Sequence, residues 1–200
     1  MNRQVLSMLG LASFVLAGCA GPVEEAEVTA ALAPMVQPDR AVGYTWTGLR
    51  NGEPFSMKIV SDNGDAWDWE TSDGCKFTSS KLGFAPGKKW SNCGNLTDGQ
   101  QTSVRTGDVW PLEVGKRWSY ALSGSNAKGN SWESTRNCEV VSTTNIKTAL
   151  GPTDAYKVMC RDKWNVRTFY FSPEMGELVF WEWHRKNQNQ RIRHEITEGS

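Results

Sequence analysis

Residues 55–71 read FSMKIVSDNGDAWDWET. After the Asn63-Gly64 pair, Trp67 and Trp69 fall on one face, and Asp68 and Glu70 on the other. A strict period of two marks a half-buried strand. The pattern recurs along the chain. WSYAL sets Trp118, Tyr120 and Leu122 on one face, and YKVMC does the same with Tyr156, Val158 and Cys160. RTFYFSPEMGELVFWEWH is a hairpin around residues 172–176, with Trp181 and Trp183 sharing a face. RIRHEIT points Ile192, His194 and Ile196 inward. No stretch of the body holds an apolar period of 3.6. The chain is therefore expected to be all-β, a single antiparallel domain of about ten strands. A meander is the economical topology, curled barrel-like or packed as a sandwich so that its edges are hidden. Asn63-Gly64 predicts a type I′ turn, in which both central residues need positive φ. Residues 76–99, rich in Gly, Ser, Asn and Lys, predict a long loop.

The N-terminus has a different character. Arg3 leads, and residues 5–16 are apolar or small without a charge. That is the length of a secretory apolar core, and shorter than the ~20 residues of a membrane-spanning helix. Leu16-Ala17-Gly18-Cys19 follows. This run resembles the lipobox of bacterial lipoproteins: a branched apolar residue, two small residues and a cysteine. The resemblance covers the first 19 residues. It implies a diacylglycerol on the Cys19 sulfur, cleavage before Cys19, and acylation of the freed amine, with palmitate as a typical chain. Each buried CH₂ contributes about 0.8 kcal/mol, so one acyl chain holds weakly and two or three hold firmly. Ala20, where an Asp would favour inner-membrane retention, implies the outer membrane. Within the cell envelope, the resemblance leaves open whether the protein faces the periplasm or the surface.

Three regions follow: a lipoprotein signal peptide over 1–18, a lipidated cysteine with a flexible tether over 19–40, and a β-rich domain over 41–200. The tether reading rests on Pro22, Pro34 and Pro38, an acidic start and the lack of aromatic residues. The body is one domain's length, enough to bury about 70% of its unfolded surface. Lys and Arg number 22 against 22 Asp and Glu, and no basic patch points to nucleic acid. The partners expected are the membrane, through the lipid, and an envelope protein, a lipid or a glycan.

Five cysteines are an odd set. Lipid on Cys19 leaves Cys75, Cys93, Cys138 and Cys160, which export would place in an oxidising compartment. Three connectivities are possible. The sequence-local one, Cys75–Cys93 and Cys138–Cys160, is the expectation. Ten tryptophans spread over the body are an unusual load. Core filling of a β-protein is the simplest account. The functional alternative is an aromatic ligand surface, with Trp67, Trp69, Trp181 and Trp183 as its candidates.

No catalytic set, metal site or cofactor motif is apparent. The chain lacks a G-x-S-x-G elbow, a phosphate-binding loop and a dinucleotide fingerprint. His184 and His194 lie across a hairpin and read as one rim and one core histidine. Asp68 and Glu70 read as a solvated strand face. These features favour a non-enzymatic, lipid-anchored envelope protein whose β-domain binds a partner. The alternatives are a hydrolase of unfamiliar type and a purely structural envelope lipoprotein. The cysteine arithmetic gives a direct check. Unreduced mass spectrometry of the mature membrane form should find no free thiol, and a free Cys19 thiol would overturn the assignment.

Overall fold

The computed structural model describes residues 24–28, 31–81 and 87–198. The signal peptide, Cys19 and Ala20 lie outside the described residues. Thirteen strands and a single turn of 3₁₀ helix are present among those described. The strands are β1 (Glu25–Ala26), β2 (Thr45–Arg50), β3 (Glu53–Asp62), β4 (Ala66–Thr71), β5 (Lys76–Ser80), β6 (Lys89–Ser91) and β7 (Gly99–Thr106). They continue with β8 (Arg117–Asn126), β9 (Ser131–Thr148), β10 (Gly151–Arg161), β11 (Asn165–Ser172), β12 (Glu177–Arg185) and β13 (Gln190–Ile196). From β2 to β13 each strand pairs antiparallel with the next, and β13 pairs with β2. The fold is therefore an up-and-down barrel of twelve strands. Closure leaves the ring without free edges, which settles barrel against sandwich.

β1 stands outside the ring. β9 runs past the end of β8, and β1 covers part of the extra length, with Glu25 opposite Ile146 and Ala26 opposite Asn145. The outward positions carry charge, including Lys58, Glu70, Lys89, Arg117, Glu133 and Lys147, all exposed. Among the described residues the exposed large apolar side chains are Val36, Val42, Val60, Leu96, Val104, Val114 and Leu150.

Alternation accounts for most of the core. Trp118, Tyr120 and Leu122 on β8 are buried, as are Arg136, Cys138 and Val140 on β9 and Val158 and Cys160 on β10. Cys138 and Cys160 are register partners and form a disulfide with Cα atoms 4.0 Å apart. Cys75 is joined to Cys93. Each bond closes a loop of some twenty residues, worth roughly 3 kcal/mol by chain entropy. The wall from β9 to β12 is buried on both faces. Thr153 and Ala155 are buried as well as Tyr156, Val158 and Cys160, and Tyr170 as well as Phe171. Register shifts opposite the Lys157/Val158 and Tyr170/Phe171 steps let this wall feed two apolar clusters.

Three expectations need correction. Residues 76–99 form β5 and β6 instead of one long loop, which brings the expected ten or so strands to twelve in the ring. The Cys75–Cys93 bond and the pairing of Phe77 with Trp90 hold this segment in the sheet. The β3–β4 connection is not a type I′ turn. It has three residues, and of them only Gly64 has positive φ, at 79°; Asn63 instead uses its amide to reach the Asp68 carboxylate at 2.7 Å. The tether is not free over its described part. Met35 is buried and exchanges backbone hydrogen bonds with Leu112 at 3.4 and 2.8 Å. The Tyr156 hydroxyl donates to the Leu32 carbonyl at 3.0 Å, and the Gln37 amide donates to the Lys81 carbonyl at 2.8 Å. Leu32 and Met35 are apolar side chains in a proline-punctuated stretch, and the barrel offers them a core to join.

The closing seam is narrow, because β13 meets β2 through only three register pairs, His194–Arg50, Glu195–Leu49 and Ile196–Gly48. Gly48 is required there. A Cβ on it would sit 2.0 Å from the Glu195 carbonyl oxygen and 2.4 Å from the Trp46 ring. Trp46 covers a glycine two residues along its own strand; a related device, a tryptophan over its cross-strand glycine partner, occurs with Trp90 over Gly99 and Trp132 over Gly124. Gly48→Ala should therefore force the seam apart and lower stability by about 3 kcal/mol, the upper end for overpacking. Urea unfolding would measure the loss. Hydrogen exchange should show faster exchange at residues 194–196 than at β8.

Candidate functional site

A cavity of about 150 Å³ opens between the β2–β5 wall and β11–β12. Its lining is mostly aromatic and aliphatic: Trp46, Met57, Trp69, Phe77, Phe169 and Leu178, with Phe171 and Trp110. Each position follows from strand parity. Trp46 stands opposite Met57, and Trp69 opposite Phe77. Arg167, Phe169 and Phe171 succeed one another on the cavity side of β11. At the mouth, Pro38 and Arg40 come from the docked N-terminal strap and Lys81 from the end of β5. Two lining tryptophans have fixed polar ends. Trp46 Nε1 donates to the Leu178 carbonyl at 3.0 Å and Trp69 Nε1 to Ser79 Oγ at 2.9 Å. Phe77 stacks on Trp69 with ring centroids 6.0 Å apart.

Three cations line this space, and they are not equivalent. Arg40 pairs with Glu177, which also accepts from the Tyr44 hydroxyl. Burial, followed by the opposing influences of Arg40 and Glu177, leaves the Tyr44 phenol well above its ordinary pKa. Lys81 pairs with Asp62 at 2.6 Å. Arg167 has no ion-pair partner among the described residues. Its Nε is shut off from solvent and meets no acceptor, and its guanidinium lies 4.6 Å from the centre of the Trp183 ring. Burial, then the like charge of Arg136, drives its pKa down to about 9, with Asp162 opposing. It stays cationic at neutral pH.

Asp162 is the acid whose charge acts on Arg167, and it is fully occupied. Its Oδ2 accepts from Arg136 Nε and Nη2 at 3.0 and 2.7 Å. Its Oδ1 accepts from the backbone amides of Trp164 and Asn165 and from Asn165 Nδ2. Burial disfavours its charge, but Arg136 and these donors outweigh that and hold the carboxyl below its usual range. No lining residue among those described is a histidine, a cysteine or a carboxylate.

The four tryptophans named from sequence do not form one surface. Trp69 lines the cavity, and Trp67 lies behind it in the core with rings 6.2 Å apart, edge to face. Trp181 packs on Trp46 at 4.7 Å and stacks on His194 at 4.0 Å. Trp183 lies under the guanidinium groups of Arg167 and Arg185. Trp46, Trp110 and Arg167 are cavity residues that the sequence reading passed over. Arg167 did carry a signal, since strand parity puts it on the face of Phe169 and Phe171, where a charge is out of place.

The histidines are not cross-strand partners. His184 opposes Arg191, and His194 opposes Trp181. No group of three or more metal-ligating side chains gathers among the described residues. Asp68 accepts from Asn63 and Thr78, and Glu70 is exposed, as expected of a solvated face. A second depression, about 680 Å³ and shallow, lies on the outer face of β8–β10. It is wide open, and Arg117 and Glu139 there pair with each other at 2.7 Å. The smaller cavity, with its aromatic wall and unpaired cation, is the better candidate.

No protein-family model and no curated protein sequence matches the chain. Among solved structures, the hypothetical lipoprotein YmcC from Escherichia coli is similar at 11% identity, with a TM-score of 0.47, over 78% of this chain and 84% of that one. A TM-score below 0.5 assigns no common fold, so neither fold nor function is carried across.

His194 yields a pH prediction. It is 8% exposed, packed between Phe55 and Trp181, and its Nδ1 has no partner. Burial, reinforced by Arg50, lowers its pKa from 6.5 to about 3. In the unfolded chain the imidazole protonates near 6.5. Between that pH and 3 the unfolded state therefore holds more protons, and stability falls as pH drops. The slope is about 1.4 kcal/mol per unit, so roughly 2 kcal/mol should be lost between pH 6.5 and 5. Denaturant midpoints of the native chain and of His194→Phe should differ in this slope, with the variant flatter by most of that amount.

Proposed function

We propose that the protein is a lipid-anchored component of the cell envelope whose barrel holds an apolar ligand and has no catalytic role. The observation that carries this reading is the cavity between β2–β5 and β11–β12, walled by Trp46, Trp69, Phe77, Phe169 and Phe171. Pockets of mainly apolar wall with a few placed polar groups are the usual form of small-molecule sites. The Leu16-Ala17-Gly18-Cys19 run supports lipid attachment at Cys19, and Ala20 supports the outer membrane. A cavity site takes the place of an aromatic ligand surface made by Trp67, Trp69, Trp181 and Trp183, since of these four Trp69 alone lines the cavity.

The test is what travels with the protein. Protein isolated from its own membranes and then denatured should release an apolar small molecule, close to one per chain, detectable by mass spectrometry. Met57→Trp, which fills the cavity, should release less than a tenth of it while keeping its thermal unfolding midpoint within a few degrees. A native protein that carries nothing, and whose tryptophan fluorescence is unmoved by a panel of fatty acids and aromatic compounds, would overturn the reading.

A further inference from the structure

The cavity wall is apolar, but its charges are unbalanced. Arg40 is matched by Glu177 and Lys81 by Asp62. Both oxygens of Asp162 are taken by Arg136, by two backbone amides and by Asn165. Arg167 alone among the three lining cations has no acidic partner within the described residues, and its Nε finds no acceptor. Arg167 is half-buried, and of its nitrogens Nε is the one sealed from solvent without an acceptor, so an anion meeting the fork from the cavity would offset the cost of that desolvation. Its planar fork suits a carboxylate, which can accept two parallel N–H bonds. Trp183 supports it from the ring face. That contact leaves the N–H edges of the guanidinium for hydrogen bonding.

Size limits the ligand. A cavity near 150 Å³ takes about one benzene-sized molecule, so a long acyl chain does not fit inside. From Phe171 to Arg167 the wall of β11 runs about 13 Å, four residues of strand. One ring with a short acidic arm matches that span. Resting on the ligand-binding reading above, we infer that the cavity is a site for a small amphipathic carboxylate, its ring among Trp46, Trp69, Phe77 and Phe169 and its carboxylate on Arg167. The aromatic wall gives the ring offset-stacked and edge-to-face contacts. Selectivity for the charge comes from Arg167, because a neutral analogue leaves the guanidinium unpaired.

Calorimetric titration of the full chain in lipid nanodiscs at pH 7 tests this, using benzoate, phenylacetate and their amides, with empty nanodiscs as the control. The carboxylates should bind at least tenfold more tightly than the amides. Arg167→Met should bring benzoate down to the level of benzamide and leave benzamide within twofold of its native affinity. Arg167→Lys should keep part of the preference. The comparison of benzoate with benzamide on the native chain stands even if a variant fails to fold. Equal binding of acid and amide would overturn the charge assignment and leave the apolar-ligand reading in place. Binding of neither, with an apolar molecule still released from native protein, would likewise sink this inference alone. An Arg167→Met variant that keeps the full carboxylate preference would show that the anion sits elsewhere.

Discussion

Closure of twelve strands into one ring is the constraint from which the rest follows. An eight-stranded barrel is about filled by its own inward side chains, and the interior widens with each added strand. A twelve-stranded ring must therefore be filled with large groups or flattened, or it must admit chain from outside. This protein does the first and the last. Its inward positions carry Trp46, Trp67, Trp69 and Trp118. Its β9–β12 wall turns both faces into apolar clusters through two register shifts. Two segments beyond the strands, around Met35 and around Val109 and Leu112, enter the core and are bonded to each other. The seam between β13 and β2 closes the ring, and it is short, as are the pairings of β6 with its neighbours. It is held by three pairs and a column of rings, Phe55, His194, Trp181 and Trp46.

Filling a wide ring with aromatic groups leaves polar atoms that need partners, and the protein solves this unevenly. At one end Arg136 and Asp162 form a pair in which both side chains are almost wholly buried, 4% and 2% exposed. Breaking one side of such a pair typically costs 3–5 kcal/mol, because the other charge is left alone. Asp162 also fixes the turn after β10 through the Trp164 and Asn165 amides, so the pair orders backbone as well as charge. A few residues along the sheet, Arg167 sits in the same polar region without an acid of its own. Like charge from Arg136 and Arg185 deepens the imbalance. Structural economy would have placed a methionine or a glutamine there, and the surplus charge is what separates a merely filled interior from a site.

The fold class was legible because alternation is a local property. Trp118, Tyr120 and Leu122, or Tyr156, Val158 and Cys160, declare their strands without reference to any neighbour. What escaped was whatever depends on a distant partner. β6 is three residues long and exists because β5 and β7 flank it and the Cys75–Cys93 bond ties it down. The docking of residues 31–40 depends on a mouth that only closure creates, so prolines and acidic residues there read as a free linker. The four tryptophans chosen as a surface were paired along the chain, Trp67 with Trp69 and Trp181 with Trp183. The cavity instead joins Trp46, Trp69 and Trp110 from segments far apart in sequence. Arg167 was visible as a charge on an apolar face. Its lack of a partner was not, because that requires knowing that Asp162 and Glu177 are spent elsewhere.

The docked strap also changes how the anchor acts. A free tether from Cys19 to Arg40 would let the barrel stand about 70 Å from the membrane at full extension. Glu25 is instead fixed on the barrel wall. Lys157 Nζ donates to its carboxylate at 2.8 and 2.7 Å, and the Tyr170 hydroxyl at 2.7 Å. Five residues lie between Cys19 and Glu25, a reach of about 20 Å at most. With lipid on Cys19, as proposed, the wall formed by β1 and β9 is therefore held close to the bilayer. The same strap goes on to supply Pro38 and Arg40 to the mouth of the cavity. Anchor, wall and cavity mouth thus follow one another along a single stretch of sequence, with the Glu25 contacts standing between the lipid end and Pro38.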